Sequence, residues 1–303
     1  MNTQSKAMPE SPLDSQVIAP VAMSATRPLY WSVRRELWEN RSIYIAPLAV
    51  AAVTLFGFLI ASIGRALSET DLAQRRAVLE EPSHFAMGLI MVTAFVVGVF
   101  YSLEALHGER RDRSILFWKS LPVSDLTTVL SKASIPLVVL PLLTFAIVVA
   151  TQLIMLLLNT LVLRGSGLSV ATLWTPSLLQ MSLLLLYHLV TVHILWHAPI
   201  YGWLLLVSGW ARRAAFLWAA LPPLAICIVE KIAFNTTHCA ALLGYRISGP
   251  EAFTLGAGGS GPMSMATYDP GKFLSTPGLW IGLAVAAAFL AAAVRLRRYQ
   301  GPI

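Results

Sequence analysis

The sequence predicts an all-α membrane protein with six transmembrane helices, and composition and apolar runs both support this fold class. Of the 303 residues, 56% are hydrophobic and 12% are charged, whereas a soluble domain carries about 25% charged residues. Several apolar runs reach the roughly 20 residues that a helix needs to cross the hydrocarbon core of a bilayer. We therefore expect a multi-pass protein embedded in the lipid bilayer.

Charge and cysteine content exclude other classes. A net charge of +7 would be compatible with nucleic-acid binding in a soluble protein. Here the Lys and Arg residues lie at the ends of apolar runs, so membrane topology explains them and we expect no nucleic-acid partner. The two cysteines, Cys227 and Cys239, are too few for a disulfide framework, and neither has a spacing typical of a metal site.

The N-terminal region divides into two parts. Residues 1–26 are rich in Ser, Pro, Ala and Gln and are predicted to form a disordered cytoplasmic tail. In residues 27–41, Leu29, Val33 and Leu37 recur four apart among arginines and aromatic residues. This pattern predicts an interfacial amphipathic helix before the first span. The alternative is a simple basic anchor for that span.

The transmembrane domain is predicted to cover residues 42–298. We expect spans at about 42–63, 85–106, 133–163, 177–198 with a broken extension to 210, 214–232 and 278–294. Between them we expect loops at residues 65–84, 164–176 and 235–277, the last with room for one short helix.

Prolines and small residues modify this pattern. Pro136 and Pro141 are expected to kink the third span, and Pro199 with Gly202 to break the fourth. Rows of small residues four apart favour close helix approach. They are Ala94, Gly98 and Ser102 on the second span and Gly278, Gly282 and Ala286 on the sixth.

Six spans place both termini on the same side of the membrane. With the termini inside, the inner segments carry 15 Lys and Arg residues and the outer segments carry 7. Because inner loops of membrane proteins are enriched in Lys and Arg, this asymmetry predicts cytoplasmic termini.

Ionisable residues inside the spans are functional candidates. The fourth span carries His188, His193 and His197, of which the last two share a helix face. Paired imidazoles can bind a metal or haem or relay protons. No nearby carboxylate or cysteine completes a metal site, so we expect no metal and favour a structural role over a pathway role.

Two carboxylates are further candidates. Glu104 is predicted to pair with Arg110 or with another cation of the following loop, and Glu230 to form an interfacial pair with Lys231. Both are possible polar residues of a transport pathway.

No catalytic motif is evident. The pair Gly271-Lys272 is followed by Phe273 and lacks the upstream glycine of a Walker A loop. Neither Gly-x-Ser-x-Gly nor His-Glu-x-x-His occurs. We therefore expect a chain that is not itself an enzyme.

The stretch from Glu104 to Lys132, between the second and third spans, carries five of the 22 Lys and Arg residues. Its sequence is Glu109-Arg110-Arg111-Asp112-Arg113-Ser114-Ile115-Leu116, then Trp118-Lys119-Ser120-Leu121-Pro122-Val123-Ser124, with Lys132 opening the third span. This arrangement resembles the first cytoplasmic loop of ABC-2 type transporter permeases. The six-span layout extends the resemblance to most of the chain.

The resemblance implies a permease subunit, and an exporter, of the bacterial cytoplasmic membrane. It implies partnership with a second permease copy, identical or related, and with separately encoded ATPase subunits that bind ATP and Mg. This chain is then expected to hold no cofactor. The resemblance indicates no substrate.

The charged loop also has the local features of a docking element. Pro122 ends the first short helix, and Ser124 is placed to cap the next. Phe117 and Trp118 are apolar anchors among cations, suited to a groove on a soluble partner. The residues predicted to contact the ATPase are Glu109, Arg110, Arg111, Asp112, Arg113, Phe117, Trp118, Lys119 and Pro122.

Three alternatives remain open at this point. The loop could be a basic turn bound to lipid headgroups. The chain could be a membrane-bound metal or haem redox protein that uses the histidines of the fourth span. It could also be a permease homologue that regulates or scaffolds without transporting.

Overall fold

The computed structural model describes residues 26–66, 72–120, 123–165, 177–249 and 270–303. In these ranges the regular structure is helical and no strand occurs. The predicted tail up to residue 25, Pro122 and residues 250–269 lie outside the described residues.

Thirteen α-helices and two π-helical segments follow one another along the described chain. The helices are α1 (Thr26–Glu39), α2 (Ser42–Ala66), α3 (Leu72–Ala105), α4 (His107–Arg111), α5 (Ile115–Ser120), α6 (Asp125–Ser134), α7 (Leu140–Gly165), α8 (Ser177–His188), α9 (Ala198–Trp210), α10 (Ala215–Phe234), α11 (His238–Ser248), α12 (Pro270–Ser275) and α13 (Pro277–Tyr299). The π-helical segments are Ile135–Val139 and Leu189–Trp196.

Five helices are long and apolar enough to cross a membrane, and the number is six when the bent pair α8–α9 counts as one span. This confirms the all-α, multi-pass membrane class. The bounds differ from the prediction mainly at α3, which begins at Leu72 and so occupies most of the predicted loop at residues 65–84.

Prolines lie in or just after the two irregular segments. Pro136 lies in the π-helical segment between α6 and α7, but the third span continues through it as one helical rod. The fourth span bends by 44° at His197, and Pro199 then lies in the first turn of α9. Proline is tolerated there because the first helical N–H groups have no intrahelical partner.

Small residues allow the central helices to approach closely, as predicted. A Cβ atom on Gly98 would lie 3.0 Å from the ring and the hydroxyl of Tyr201, so α3 and α9 meet there. A Cβ atom on Gly202 would lie 3.3 Å from the Ala286 carbonyl oxygen, so the backbones of α9 and α13 pack directly against each other. These contacts hold α3, α9 and α13 as the centre of the bundle.

The bundle has two distinct ends. We call the end that carries α4 and α5 the loop end, and the opposite end, where α10 is followed by α11, the far end. The predicted loop at residues 235–277 contains α11 and α12 in its described parts. A disulfide joins Cys227 of α10 to Cys239 of α11. Sequence reasoning assigned no such link to these two cysteines.

Glu230 reinforces this hairpin instead of pairing with Lys231. Its carboxylate accepts hydrogen bonds from the backbone N–H groups of His238 and Cys239, both at 2.7 Å, and from the Thr236 hydroxyl at 2.6 Å. A carboxylate at this position satisfies N–H groups that the first turn of α11 leaves unpaired. Glu230 therefore holds α11 against α10.

The other end of α11 contacts the central helices. Arg246 lies 4.4 Å over the Trp196 ring and donates a hydrogen bond to the Gly278 carbonyl. Gly282 leaves the space for this guanidinium, since a Cβ atom there would lie 2.5 Å from an Arg246 nitrogen. The far end is thus joined by one disulfide, backbone hydrogen bonds and a cation–π contact.

Candidate functional site

The charged loop folds as two short helices joined by a tight turn. Helix α4 ends at Arg111, and Arg113 adopts a left-handed conformation (φ 58°) before α5 begins at Ile115. After α5, Ser124 accepts a hydrogen bond from the Thr127 backbone N–H at 3.1 Å, which confirms the predicted N-cap of α6. The cap fixes where the third span begins relative to the loop.

Under this loop lies a cluster of buried charges. The Lys132 ammonium is 2.8 Å from the Glu36 carboxylate and 3.1 Å from the Glu109 carboxylate. All three side chains are less than a tenth exposed. Arg35 joins the same two carboxylates through Nη2, at 2.7 Å and 3.3 Å. The cluster therefore ties α1 and α4 to the start of the third span.

Helix α13 completes the cluster. Arg297 pairs with the second oxygen of Glu109, and its Nε lies 3.3 Å from Asp125 at the start of α6. The Tyr101 hydroxyl of α3 donates to Glu36 at 2.9 Å. We call these seven residues the ion network: Arg35, Glu36, Tyr101, Glu109, Asp125, Lys132 and Arg297.

The ion network is electrically balanced. It holds three carboxylates and three cations, each within 3.3 Å of at least one opposite charge. Balance matters because an unpaired charge buried in an apolar medium costs several kcal/mol. At Glu36, burial raises the pKa, but the attraction of Lys132 and the hydrogen bonds from Lys132 and Arg35 outweigh it and hold the pKa below its ordinary value.

Helix α4 is also joined to the end of α9. The Ser208 hydroxyl accepts hydrogen bonds from the backbone N–H groups of Leu106 and His107, both at 2.9 Å. Arg110 donates to the Gly209 carbonyl at 2.6 Å. A cation at a helix C-terminus is favourable because the last carbonyls are unpaired and carry partial negative charge.

The C-terminal residues after α13 also contact both short helices of the loop. Lys119 of α5 donates to the Gln300 carbonyl at 2.9 Å, and the Ile303 backbone N–H donates to the Arg110 carbonyl at 3.2 Å. With these contacts, the two short helices touch elements from five parts of the chain: α1, α3, α6, α9 and α13 with its C-terminal extension.

One face of the loop is left exposed. Leu116 and Phe117 are both 59% exposed, with Arg111, Arg113 and Lys119 exposed nearby in the chain. Trp118 behaves differently, because the Arg35 guanidinium stacks 3.7 Å over its ring. The apolar surface available to a partner is therefore Leu116 and Phe117, while Trp118 faces α1.

The predicted site residues fall into two groups. Glu109 and Arg110 are buried inside the chain, in the ion network and against α9. Arg111 pairs with Glu104 at 2.9 Å and with Asp112 at 3.2 Å on the exposed side, so Glu104 contacts Arg111 and not Arg110. Pro122 lies outside the described residues.

Sequence reasoning missed Arg35, Glu36, Tyr101, Asp125 and Arg297 as members of a site. A signal existed for two of them. Glu36 lies on the helix face that carries Val33 and Leu37, where a carboxylate needs a partner. Arg297 continues the buried face of Gly282, Ala286 and Ala293 on α13.

The three histidines lie in a row at the bend of the fourth span. Ring centroids are 6.0 Å apart for His188 and His193 and 5.4 Å apart for His193 and His197. His197 Nε2 lies 3.2 Å from the Ile247 carbonyl and must carry the proton, because a carbonyl only accepts.

No nitrogen of His193 meets hydrogen-bond geometry with a described residue, although the Met91 backbone lies beside it. Among the described residues, no group of three or more His, Cys, Asp or Glu side chains is arranged to hold a metal ion.

We predict that Lys132→Met destabilises the protein by about 3–5 kcal/mol, because it leaves the three carboxylates of the ion network with only two arginines and one negative charge unbalanced. The measurement is chemical or thermal unfolding in detergent. The double variant Glu36→Gln/Lys132→Met removes one stranded charge and is expected to recover part of the loss. Arg111→Met, which breaks an exposed ion pair of the same loop, is the matched control and should change stability little. Equal stability of the two methionine variants would contradict a structural role for the ion network.

Glu36 also predicts how stability depends on pH. Its folded pKa is below the ordinary value of 4.5, so its contribution is present above that value and is lost as the pH falls through the folded pKa. The difference in unfolding free energy between wild type and Glu36→Gln should be constant near neutral pH and shrink below about pH 4.5. Unfolding curves of both proteins across this range measure it, and a difference that grows on acidification would show the opposite sign.

No protein-family model, no curated protein and no solved structure matches the chain. The contacts of the loop and of the ion network are thus the basis for a proposal of function.

Proposed function

We propose that the chain is the membrane-spanning permease subunit of an ABC-2 type exporter in the bacterial cytoplasmic membrane. The observation that carries the proposal is the charged loop between the second and third spans. It is a rigid two-helix element with an exposed apolar pair, bound from behind by a buried ion network to the ends of several spans. A loop that serves only to connect two helices does not need such support.

The connections suit the transmission of force. A displacement of α5 would be transmitted to α1 through the cation–π contact between Trp118 and Arg35. A displacement of α4 would be transmitted to the third and last spans through Glu109, which contacts both Lys132 and Arg297. Because these contacts are buried and charged, they resist sliding better than apolar contacts do. Movement of the loop would therefore move the ends of several spans together.

The partner proposed for the exposed face is a separately encoded ATPase subunit. Leu116 and Phe117 supply the apolar anchors, and the neighbouring Arg111 and Arg113 favour an acidic rim on the partner. The alternative of a headgroup-bound loop would require the exposed apolar pair to enter the bilayer. Lys119, which donates to the Gln300 carbonyl, is turned toward the C-terminal segment.

The orientation proposed has both termini and the loop end in the cytoplasm. The excess of Lys and Arg in the inner segments favours it. The disulfide adds an independent argument, because disulfides persist in oxidising compartments such as the bacterial periplasm. Cys227 lies twelve residues into α10 from its loop-end start, or about 18 Å along a helix. The pair is therefore displaced toward the far end.

The orientation is tested with single cysteines in a Cys227→Ser/Cys239→Ser background. Tyr299→Cys, at an exposed position of the loop end, should react with a membrane-impermeant maleimide only after the cells are permeabilised. Phe234→Cys, at an exposed position of the far end, should react in intact cells. The reverse pattern would place the termini outside and remove the loop from any cytoplasmic ATPase.

The function is tested by purifying the tagged chain from native membranes in mild detergent and identifying what accompanies it. We expect a soluble protein with a Walker A loop in near-equal amount. Phe117→Ala should weaken that association by roughly 30-fold or more, the effect of losing an anchor worth about 2 kcal/mol. Tyr299→Ala, which removes another exposed aromatic ring at the loop end, is the control and should leave the association intact.

Two outcomes would contradict the proposal. One is the absence of any Walker A protein under conditions that preserve a known ABC complex. The other is wild-type association of Phe117→Ala together with Leu116→Ser. If the ATPase associates but its turnover does not respond to the reconstituted chain, the chain is a regulatory or scaffolding homologue.

A further inference from the structure

A cavity lies beside the ion network, between the first helix and the charged loop. Its volume is about 280 Å³. Helix α1 supplies Pro28, Trp31, Ser32 and Arg35 to its wall, and α5 supplies Trp118. The opposite wall includes Thr128 of α6. The cavity thus opens where three separate elements meet.

The apolar part of the wall is mostly aromatic. The indoles of Trp31 and Trp118 and the ring of Pro28 form it. Trp118 is held in place, because the Arg35 guanidinium covers one side of its ring at 3.7 Å. Trp31 is 59% exposed, and Arg34 lies 5.3 Å over its ring. Such rings accommodate the glycerol and upper acyl region of an amphiphile.

The polar part of the wall consists of one edge of the Arg35 guanidinium and two hydroxyl groups. Arg35 uses Nη2 for Glu36 and Glu109, and its Nε lies 3.6 Å from Glu39. The hydrogen bonds and ion pairs of Arg35 with described residues use Nη2 and Nε, so the Nη1 edge of the guanidinium remains available. Ser32 adds a hydroxyl group, the Thr128 hydroxyl donates to the Ser124 carbonyl at 3.3 Å, and the wall contains no carboxylate. This combination suits a phosphate group.

The surroundings of the cavity favour a lipid headgroup over a soluble phosphate compound as the source of that phosphate. On α1, Tyr30, Trp31 and Trp38 are 60%, 59% and 71% exposed, and Arg34 stacks over both tryptophans. Exposed aromatic rings mixed with arginine are typical of a helix at the level of lipid headgroups. The volume is also at the lower limit for a small-molecule pocket and is sufficient for a headgroup. A lipid reaches this position by lateral diffusion, without crossing the cytoplasm.

We infer that the cavity between α1, α5 and α6 binds the phosphate headgroup of an anionic phospholipid, with Arg35 Nη1 on the phosphate and Trp31 and Trp118 beside the glycerol. The bound lipid would bridge the first helix and the charged loop. This inference does not depend on the proposed transport function, since it rests on the cavity and on the membrane-facing helix.

The experiment uses the purified full-length chain and native mass spectrometry in the presence of phosphatidylglycerol or phosphatidylcholine. Wild type should retain one phosphatidylglycerol with at least about 10-fold preference over phosphatidylcholine, roughly the effect of one charge-assisted contact. Ser32→Trp fills the cavity from α1 without replacing a residue of the ion network and should abolish the preference. Arg41→Gln removes an exposed interfacial cation outside the cavity and should keep it.

A second variant distinguishes the loss of the lipid site from the loss of the folded structure. Thr128→Leu reduces the cavity from α6, and it should lower the preference while the melting temperature in lipid-free detergent stays within a few degrees of wild type. Equal binding of both lipids by wild type, or wild-type preference in both filled variants, would overturn the inference.

Two further results would also overturn it. If soluble glycerol phosphate at millimolar concentration competes with phosphatidylglycerol for the cavity, the ligand is a free phosphate compound and not a lipid. If Ser32→Trp keeps its lipid preference but loses its ATPase, the cavity belongs to the partner interface. Loss of lipid preference with normal ATPase association would support the lipid site and leave the proposed function unaffected.

Discussion

The architecture at the loop end depends on six charges that are held together in a buried or half-buried cluster. Glu36, Glu109 and Lys132 are removed from water almost completely, and each is tolerable only when its partners are present in the right place. No single helix supplies all the partners. Helices α1, α4, α6 and α13 must therefore pack together for these charges to be paired. Tyr101 of α3 adds a hydrogen bond to Glu36. Such a cluster specifies one arrangement of helix ends, which non-directional apolar packing does less well.

This requirement explains how the short helices of the charged loop are stabilised. Helices α4 and α5 have five and six residues, far too few for stable isolated helices. Their order comes from contacts behind them: Glu109 in the ion network, Arg110 on the end of α9 and Lys119 on the C-terminal segment. The loop can then present Leu116 and Phe117 to a partner without first being ordered by it, which reduces the entropy cost of association.

The sequence was informative where the physics is local. Span positions follow from apolar run length, the N-cap at Ser124 from the residue type after a proline, and the bend at His197 from Pro199. These features depend on neighbours in the chain. The ion network could not be predicted, because Glu36 and Lys132 are 96 residues apart and Glu109 and Arg297 are 188 apart. A single sequence contains no record of which charges meet across such separations.

The charged loop shows the same contrast between features set by neighbouring residues and contacts made with distant ones. Its amino-acid pattern predicted a docking element, but the pattern could not separate its two faces. The rings of Phe117 and Trp118 lie 4.9 Å apart, yet only Phe117 is exposed, because Arg35, from 83 positions earlier in the chain, covers Trp118. Likewise, two cysteines 12 residues apart gave no sign of the hairpin that Glu230 and α11 form between them.

The two ends of the bundle differ in how firmly they are held, and this difference has a mechanical consequence. At the loop end, ionic contacts cross-link four helices. Helix α10, by contrast, buries only Ala215 and Ala219 among its described side chains, and it is otherwise held by contacts with α9, α3 and the α11 hairpin. Local opening is easiest where few buried contacts must break. Within the described residues, we therefore expect local opening to cost least at the α10–α11 unit and most at the loop end.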